Sequence, residues 1–452
     1  MQTDFNQFSP VVTFIVKPYL QMGQSDFTSR KASLALIWHA DETAADWGVQ
    51  VSAGDSDDFQ DAGLVYSREM RIAGIKKHHR FRVDLTGLEP GKIFKYRVLY
   101  DGKAVFAGNC RAPVPAGSSF EAVLVGDLFD AGPVASRIEA LDPDLTVFAG
   151  DIVYKHGQFG DYLEQFFPAF GRLLAHRLAV AAVGNHDVSA PKELFGFKSK
   201  KKEPDLFAYR FVFDQRRNGP GKPGKDCFDF SGDAEKYRRS YKIVGRKMLS
   251  RTCFSFKYGN AYFLVLDGNR YVDWSRPELR RWVSARLEEG RDSAWRFVVI
   301  HQPPFTCDVT YLNENRSRLL CDLFQAQGVD VVFSGHSHMY ERTHPLTFEV
   351  QPQADGSMVG TGGSVRGAFS FDRQFDGREH TRPRGIVYIT TGRGGKPLDD
   401  DHQPDPANLP DYLKVLDLDD LSVTSLSVAD RELVIRQVST SGRIIDEVRI
   451  TR

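Results

Sequence analysis

Five stretches of this sequence deliver oxygen or imidazole donors directly after an apolar run. They read "VLVGDLFD", "TVFAGDIVY", "AAVGNHD", "FVVIH" and "VVFSGHSH". The donors are Asp127, then Asp151 and Tyr154, then Asn185 with His186 and Asp187 beside it, then His301, then His336 and His338. Carboxylate, phenolate, amide oxygen and imidazole suit hard and borderline cations. The seven donors Asp127, Asp151, Tyr154, Asn185, His301, His336 and His338 suffice for two cations if one carboxylate is shared. Gly-His-x-His adds that alternate residues of an extended segment can address two adjacent cations. Taken singly, each stretch has a plain structural meaning, a turn for Gly-Asp or packing for a histidine after "VVI". Their common order points to chemistry. Two adjacent cations lower the pKa of a bound water from about 16 toward 7, so that hydroxide is available. No Ser or Cys nucleophile is needed, and no G-x-S-x-G elbow is present.

Such donors must be positioned by elements of fixed geometry. The apolar runs before them are short and buried in character, and amphipathic stretches lie between several. "SRIEALD", "DYLEQFFPAFGRLLAH", "RPELRRWVSARLEEG" and "SRLLCDLFQAQG" read as helices. Buried strands alternating with helices predict an α/β core, whose ligands gather at the carboxyl ends of strands. Residues 1–114 differ. "VVTFIV", "SLALIWH", "WGVQVSAG", "HHRFRVDL" and "FKYRVLYDG" recur at short spacing between turn residues, which predicts a small β-sandwich. "RAPVPAGSS" supplies a boundary, so residues 115–452 are expected to form the second domain. Strands at about 412–452 are expected to extend that domain's second sheet. An insertion at about 197–250 is basic, with 15 Lys and Arg against 7 Asp and Glu between Lys198 and Lys247. It reads as a solvated excursion or as a rim that attracts phosphate-bearing substrates.

The 452 residues carry 59 basic and 59 acidic side chains, so no global attraction to nucleic acid or membrane is expected. No run of 18 or more apolar residues occurs, hence no membrane span is expected. The first residues lack a basic segment followed by a long apolar one, and no signal peptide is read in them. Five cysteines in no CxxC pattern neither require nor exclude a disulfide.

"GDLFD", "GDIVY", "GNHD", "VVIH" and "GHSHMYERTHPL" resemble the five motif blocks of purple acid phosphatases, a branch of the calcineurin-like metallophosphoesterases. "KPYLQMGQ", "FSFKYGNAYFLVLDGN" and "GIVYITTGRGG" extend the resemblance over most of the chain, apart from the basic insertion and residues 361–380. "VDLTGLEPGKIFKYRV" resembles a turn and strand of fibronectin type III domains. The resemblance implies an N-terminal fibronectin type III-like β-sandwich and an αββα sandwich with two mixed sheets flanked by helices. It implies Fe(III) held by Asp127, Asp151, Tyr154 and His338. It implies Fe(II), Zn or Mn held by Asp151, Asn185, His301 and His336, with Asp151 bridging. It also implies that His186 contacts phosphate, an extracytoplasmic location and a small phosphorylated substrate. General metal-dependent phosphoesterases often read Asp-x-His in the first block. Here Phe129 takes the third position, and the resemblance supplies Tyr154 in place of the missing imidazole.

The chain departs from the family after "VVIH", where related plant enzymes carry further histidines and "QPPFTCDVTYLNENR" has none. Asp308, Tyr311, Lys155 and His156 are therefore the candidates for a second leaving-group acid, and Lys155, His156, Asn185 and His186 for contact with substrate. Glu341 and Arg342 are expected to pair with each other, His344 to pack or to support the ligands, and Arg393 and Lys396 to line the rim. The expected activity is hydrolysis of phosphate monoesters, with His186, Asp151 and His301 as catalytic residues. A phosphodiesterase or phosphotriesterase on the same centre, or a binding protein with a vestigial centre, are the competing expectations.

Overall fold

A computed structural model describes residues 12–27, 32–41, 46–54, 56–72, 74–154, 156–188 and 208–452. The N-terminal strands are β1 (Phe14–Gln21), β2 (Ala32–Ala40), β3 (Trp47–Ala53), β4 (Gln60–Asp61), β5 (Tyr66–Met70), β6 (His78–Leu88), β7 (Ile93–Tyr100) and β8 (Lys103–Arg111). They form two antiparallel four-stranded sheets, ordered β1-β2-β6-β5 and β4-β3-β7-β8. Alternate residues of these strands face inward, as a half-buried strand requires. Trp38, Trp47 and Phe81 meet between the sheets, with Trp38 stacked on Phe81 at 5.3 Å.

The remaining chain builds two larger sheets. Strands β9 (Phe120–Val125), β10 (Leu145–Phe148) and β11 (Leu178–Ala181) are parallel. Strands β12 (Phe254–Tyr258), β13 (Ala261–Leu266), β14 (Trp295–Ile300), β15 (Val331–Ser334), β16 (Tyr340–Thr343), β17 (Leu346–Gln351), β18 (Arg366–Phe371), β19 (Val387–Thr391), β20 (Leu413–Asp417), β21 (Ser422–Val428), β22 (Glu432–Ser439) and β23 (Ile444–Thr451) follow. One mixed sheet has six strands in the order β11-β10-β9-β21-β22-β23, the other seven in the order β12-β13-β14-β15-β19-β16-β20. Strands β17 and β18 form a separate hairpin-like pair.

Strands β9 to β11 and β13 to β15 are buried on both faces, which explains their unbroken apolar sequences. Ala122 and Leu124 of β9 share a core with Phe297, Val299 and Phe333 of the facing sheet. Val123 and Val125, one residue out of phase, pack instead with Ile138 and Phe170 of the outer helices. Helices Gly132–Leu141 and Phe167–His176 contribute to this outer layer, and Pro277–Glu289 lies beside the seven-stranded sheet's segment of the chain. A five-residue π-helical stretch, Tyr162–Phe166, leads into Phe167–His176. "SRLLCDLFQAQG" is not one helix: a tight 3-10 turn, Arg316–Leu320, precedes a short α-helix, Cys321–Ala326.

The closing strands divide between the two sheets, contrary to the single-sheet expectation. β20 pairs antiparallel with β16, whereas β21 to β23 continue the sheet of β9, so residues 418–421 cross from one layer to the other. Residues 208–217 of the basic insertion are no solvated excursion. They are stitched to the N-terminal sheet: Tyr19 Oη donates to the Val212 carbonyl, Gly23 N–H to the Asp214 carbonyl and Arg80 Nε to the Phe211 carbonyl, at 2.9, 2.8 and 2.9 Å. No helix among the described residues is long and apolar enough to cross a membrane. All five cysteines are buried and unpaired.

Candidate metal centre

The five donor-bearing stretches meet at one place. Asp127 follows β9, Asp151 follows β10, Asn185 follows β11, His301 follows β14 and His336 follows β15. The two sheets touch here through their loops: Gly126 N–H donates to the Thr391 carbonyl at 2.9 Å, and Gly335 approaches Gly126 closely enough that a β-carbon on Gly126 would meet it at 3.2 Å. Asp127, Asp151 and His336 all adopt positive φ, at 64°, 48° and 72°. Side chains rarely adopt that conformation, and it turns these donors inward from the strand ends.

Asp127 Oδ1 lies 3.1 Å from Tyr154 Oη, and the phenol is 3.2 Å from His338 Nε2. Asp127 Oδ2 accepts the His336 N–H at 2.8 Å, which fixes the "GHSH" loop to the end of β9. On the other side, Asp151 Oδ2 lies 3.3 Å from His301 Nε2, and donor atoms of Asp151, His301 and His336 fall within 4.8 Å of one another. Asp151 Oδ1 accepts the His186 N–H at 2.8 Å. His301 donates Nδ1–H to the Ala149 carbonyl at 2.7 Å, which turns Nε2 toward Asp151.

The donor set fits cations. Asn185 Oδ1, His301 Nε2 and His336 Nε2 are buried without hydrogen-bond partners. Orphaned buried polar atoms cost about 1–3 kcal/mol each unless something satisfies them. The charges tell the same story. Burial, and then Asp151 nearby, drive the Asp127 carboxyl well above the usual carboxylate range despite the His301 charge. Burial would lower the His301 imidazole, but Asp151 outweighs it and pushes His301 up to about 9. Burial and the His301 charge drive His336 well down, and burial with Asp127 drives the Tyr154 phenol well up. Buried carboxylates crowded in this way call for positive charge that protons supply poorly.

Around these donors lie residues with supporting contacts. Asp187 accepts Gly184 N–H at 2.8 Å, Ile152 N–H at 3.1 Å and Tyr162 Oη at 3.2 Å, so it ties the second and third stretches together. Burial and Asp151 push its carboxyl up to about 7. The Phe129 ring packs edge-on against Tyr154 at 5.6 Å and is 47% exposed, so it covers the outer side of the phenol. His186 stacks obliquely on Tyr154 at 4.7 Å, and its side chain remains 36% exposed. Tyr311 lies over the His336 ring at 3.9 Å.

Three expectations are corrected. Glu341 and Arg342 do not pair, because adjacent strand residues point to opposite faces. Glu341 Oε1 accepts Thr306 Oγ1 and Cys307 N–H, both at 2.9 Å, whereas Arg342 grips Asp446 with Nε–Oδ2 at 2.6 Å and Nη2–Oδ1 at 3.0 Å. Arg393 does not line the rim. Its guanidinium is buried against the carbonyls of His338, Asp419 and Asp420, where it braces the last donor loop. Asp308 is not a free acid, since both its oxygens engage His402 Nδ1, at 3.0 and 2.9 Å. His344 packs in the interior, where burial lowers its imidazole. Lys396 pairs with Asp399, and its N–H donates to the Asp127 carbonyl at 3.1 Å. His156 sits half-buried two residues past Tyr154, and Lys155 lies outside the described residues.

His402 is the residue that sequence reasoning missed. It comes from a loop about 60 residues beyond the last stretch, with no motif around it. Its ring nonetheless lies 4.8 Å from Tyr311 and 6.1 Å from His338. The absence of histidines after "VVIH" was the one available signal, since it left a position to fill.

Residues 122–340 match the calcineurin-like phosphoesterase family. An uncharacterized protein of Mycobacterium tuberculosis is 25% identical over 405 residues, covering 83% of this chain and 69% of its own. Purple acid phosphatase 18 of Arabidopsis thaliana is 24% identical over 290 residues, covering 62% of this chain and 55% of its own. Among solved structures, a purple acid phosphatase from yellow lupin seeds superposes with a TM-score of 0.68 over 97% of this chain and 74% of its own, at 16% identity.

Proposed function

From a chain that carries a calcineurin-like phosphoesterase domain and has purple acid phosphatases among its relatives, we propose a hydrolase of phosphate monoesters that works with a pair of cations. The observation that carries this reading is Asp151, buried between two donor groups: Asp127, Tyr154 and His338 on one side, Asn185, His301 and His336 on the other. The first group, with its phenol, suits Fe(III), and the second suits Fe(II), Zn or Mn, with Asp151 shared. Two cations held there would supply a nucleophile from water at working pH and would neutralise the phosphoryl oxygens.

The chain's own residues do the rest. Asp187 holds the Asp151 and Asn185 loops in fixed relation, so that donor geometry is set before substrate arrives. His186, exposed beside Tyr154, contacts phosphate or the leaving oxygen. His402, oriented by Asp308, takes the place of the histidines absent after "VVIH" and serves the leaving group. Phe129 screens the Tyr154 phenol from water. We assign residues 1–114 as the fibronectin type III-like domain and 115–452 as the catalytic domain.

The test is metal content, visible spectrum and turnover of one purified preparation. Iron with a second metal, a visible absorption band and faster hydrolysis of p-nitrophenyl phosphate than of its bis-ester are expected. Preference for the bis-ester would move the reading to a phosphodiesterase. A metal-replete protein that hydrolyses neither would make the centre vestigial.

A further inference from the structure

A second cationic site lies between the N-terminal sandwich and the basic insertion. Six arginines, Arg68, Arg80, Arg82, Arg210, Arg217 and Arg251, line a cavity of about 240 Å³ together with a single carboxylate, Asp214. They come from three parts of the chain: β5 and β6, the 208–217 segment, and the short helix Leu249–Thr252. The convergence is therefore a product of the fold and not of a local run of basic residues. None of these residues is a donor of the metal centre.

Five of them, Arg68, Arg80, Arg82, Arg217 and Arg251, outnumber the carboxylates they meet among the described residues, Asp84 and Asp214. Asp214 is shared between Arg82 Nε at 2.8 Å and Arg217 Nη2 at 3.7 Å. Arg82 also reaches Asp84, and Arg80 spends its Nε on the Phe211 carbonyl. Arg68 and Arg251 have no ion pair or hydrogen bond through the guanidinium among the described residues. Burial, and then repulsion from Arg217 and Arg68, make the Arg251 charge harder to hold, with Asp214 only partly offsetting it. Phe211 gives the cluster a flat backing, with Arg210 at 4.4 Å from its ring and Arg68 at 6.0 Å.

Like charges gathered in a partly enclosed cavity are held there against repulsion, and a bound anion relieves it. The guanidinium fork matches phosphoryl oxygens two at a time. The space is too small for a nucleic-acid backbone to run through, and Arg68, Arg80, Arg82, Arg217 and Arg251 outnumber Asp84 and Asp214. We infer that this cavity binds a small anion bearing two or more phosphoryl groups, at a site separate from the metal centre.

The probe is imidodiphosphate, a pyrophosphate analogue whose P–N–P bridge resists hydrolysis, titrated calorimetrically into the metal-loaded protein. The wild type should take up one molecule per chain beyond any bound at the metal centre. That uptake should weaken roughly tenfold between about 0.05 and 0.5 M salt, since screening acts on both partners. Arg68→Gln with Arg251→Gln should abolish it, while KM for p-nitrophenyl phosphate and inhibition by imidodiphosphate at the metal centre stay within about twofold of wild type. Arg251→Gln alone guards against a folding artefact. Without ligand its Tm should equal or exceed that of wild type because repulsion is relieved, and its cavity affinity should still fall. A wild type with no uptake beyond the metal centre, a second uptake that survives both variants, or a lower unliganded Tm in Arg251→Gln would each overturn the inference.

Discussion

The sharpest consequence of the site's geometry concerns Gly184, which has no functional group at all. A β-carbon placed there would sit 2.1 Å from Asp151 Oδ1 and 2.2 Å from Asp151 N. Relief to a normal contact requires a shift of about 1 Å, and because one of the clashing atoms is main chain, rotation of the Asp151 side chain cannot supply it. The Asp151 loop cannot drift freely either, since Asp187 ties Ile152 to Gly184 itself. Gly184→Ala should therefore displace the Asp151 carboxylate by a substantial fraction of an ångström. Misplacement on that scale costs on the order of 100-fold in rate, or about 2.7 kcal/mol of transition-state stabilisation. Global stability should fall by only about 1–3 kcal/mol, the usual cost of overpacking. Gly171, where an added β-carbon meets nothing within 4 Å, is the control. Gly171→Ala in the helix Phe167–His176 should leave turnover unchanged and stabilise by about 0.5–1 kcal/mol. Steady-state hydrolysis of p-nitrophenyl phosphate, bound metal and a urea melt on both variants give the answer. Gly184→Ala with wild-type kcat and full metal content would refute the reasoning.

Tyr154→Phe should abolish the visible absorption band of the iron-loaded protein, and metal-stripped wild type should show no phenolate absorption at neutral pH, because burial and Asp127 hold the proton on the phenol. Loss of the band without loss of iron, read by spectrum and metal analysis, separates the phenolate from general binding. Asp446 is held below its ordinary range: burial would raise it, but the Arg342 guanidinium outweighs burial. Its contribution to stability is thus fully present above the unfolded carboxyl value of about 3.9 and is lost as pH falls through the lower folded value. Asp446→Asn should cost about 3–5 kcal/mol at pH 7 by stranding Arg342, with a smaller difference from wild type in urea melts below pH 3. His402→Asn should lower kcat by about 10- to 100-fold on esters with poor leaving groups and much less on p-nitrophenyl phosphate. A uniform loss across leaving groups would reduce His402 to a positioning role.

The α/β core and the convergence of the donor stretches were legible because both are local: an apolar run buried on two faces, followed at once by a polar turn. Residues that act across the fold were not. Asp446 partners Arg342 from 104 residues away, and His402 reaches Asp308 from 94. Neither carries a local signature, so the adjacent Glu341 seemed the natural partner for Arg342 and Asp308 a free acid. The arginine cavity escaped for the same reason. Its basic character was visible in one segment, but three of its arginines sit singly on β5 and β6, where each reads as an ordinary exposed strand position.

The bulky Phe129 follows from the same geometry. Asp127 at φ 64° turns its carboxylate inward, and the chain leaves the site at once. Position 129 therefore falls on the outer side of the donors, where an imidazole would be needed only if nothing else completed the first cation's shell. Tyr154 Oη already occupies the space between Asp127 and His338. A phenolate on iron is a large, polarisable anion whose outer edge would face water. An aromatic ring set edge-on against it, at 83° between planes, supplies an apolar cover without competing for the metal. Histidine at 129 would crowd that shell, and a small residue would leave it open.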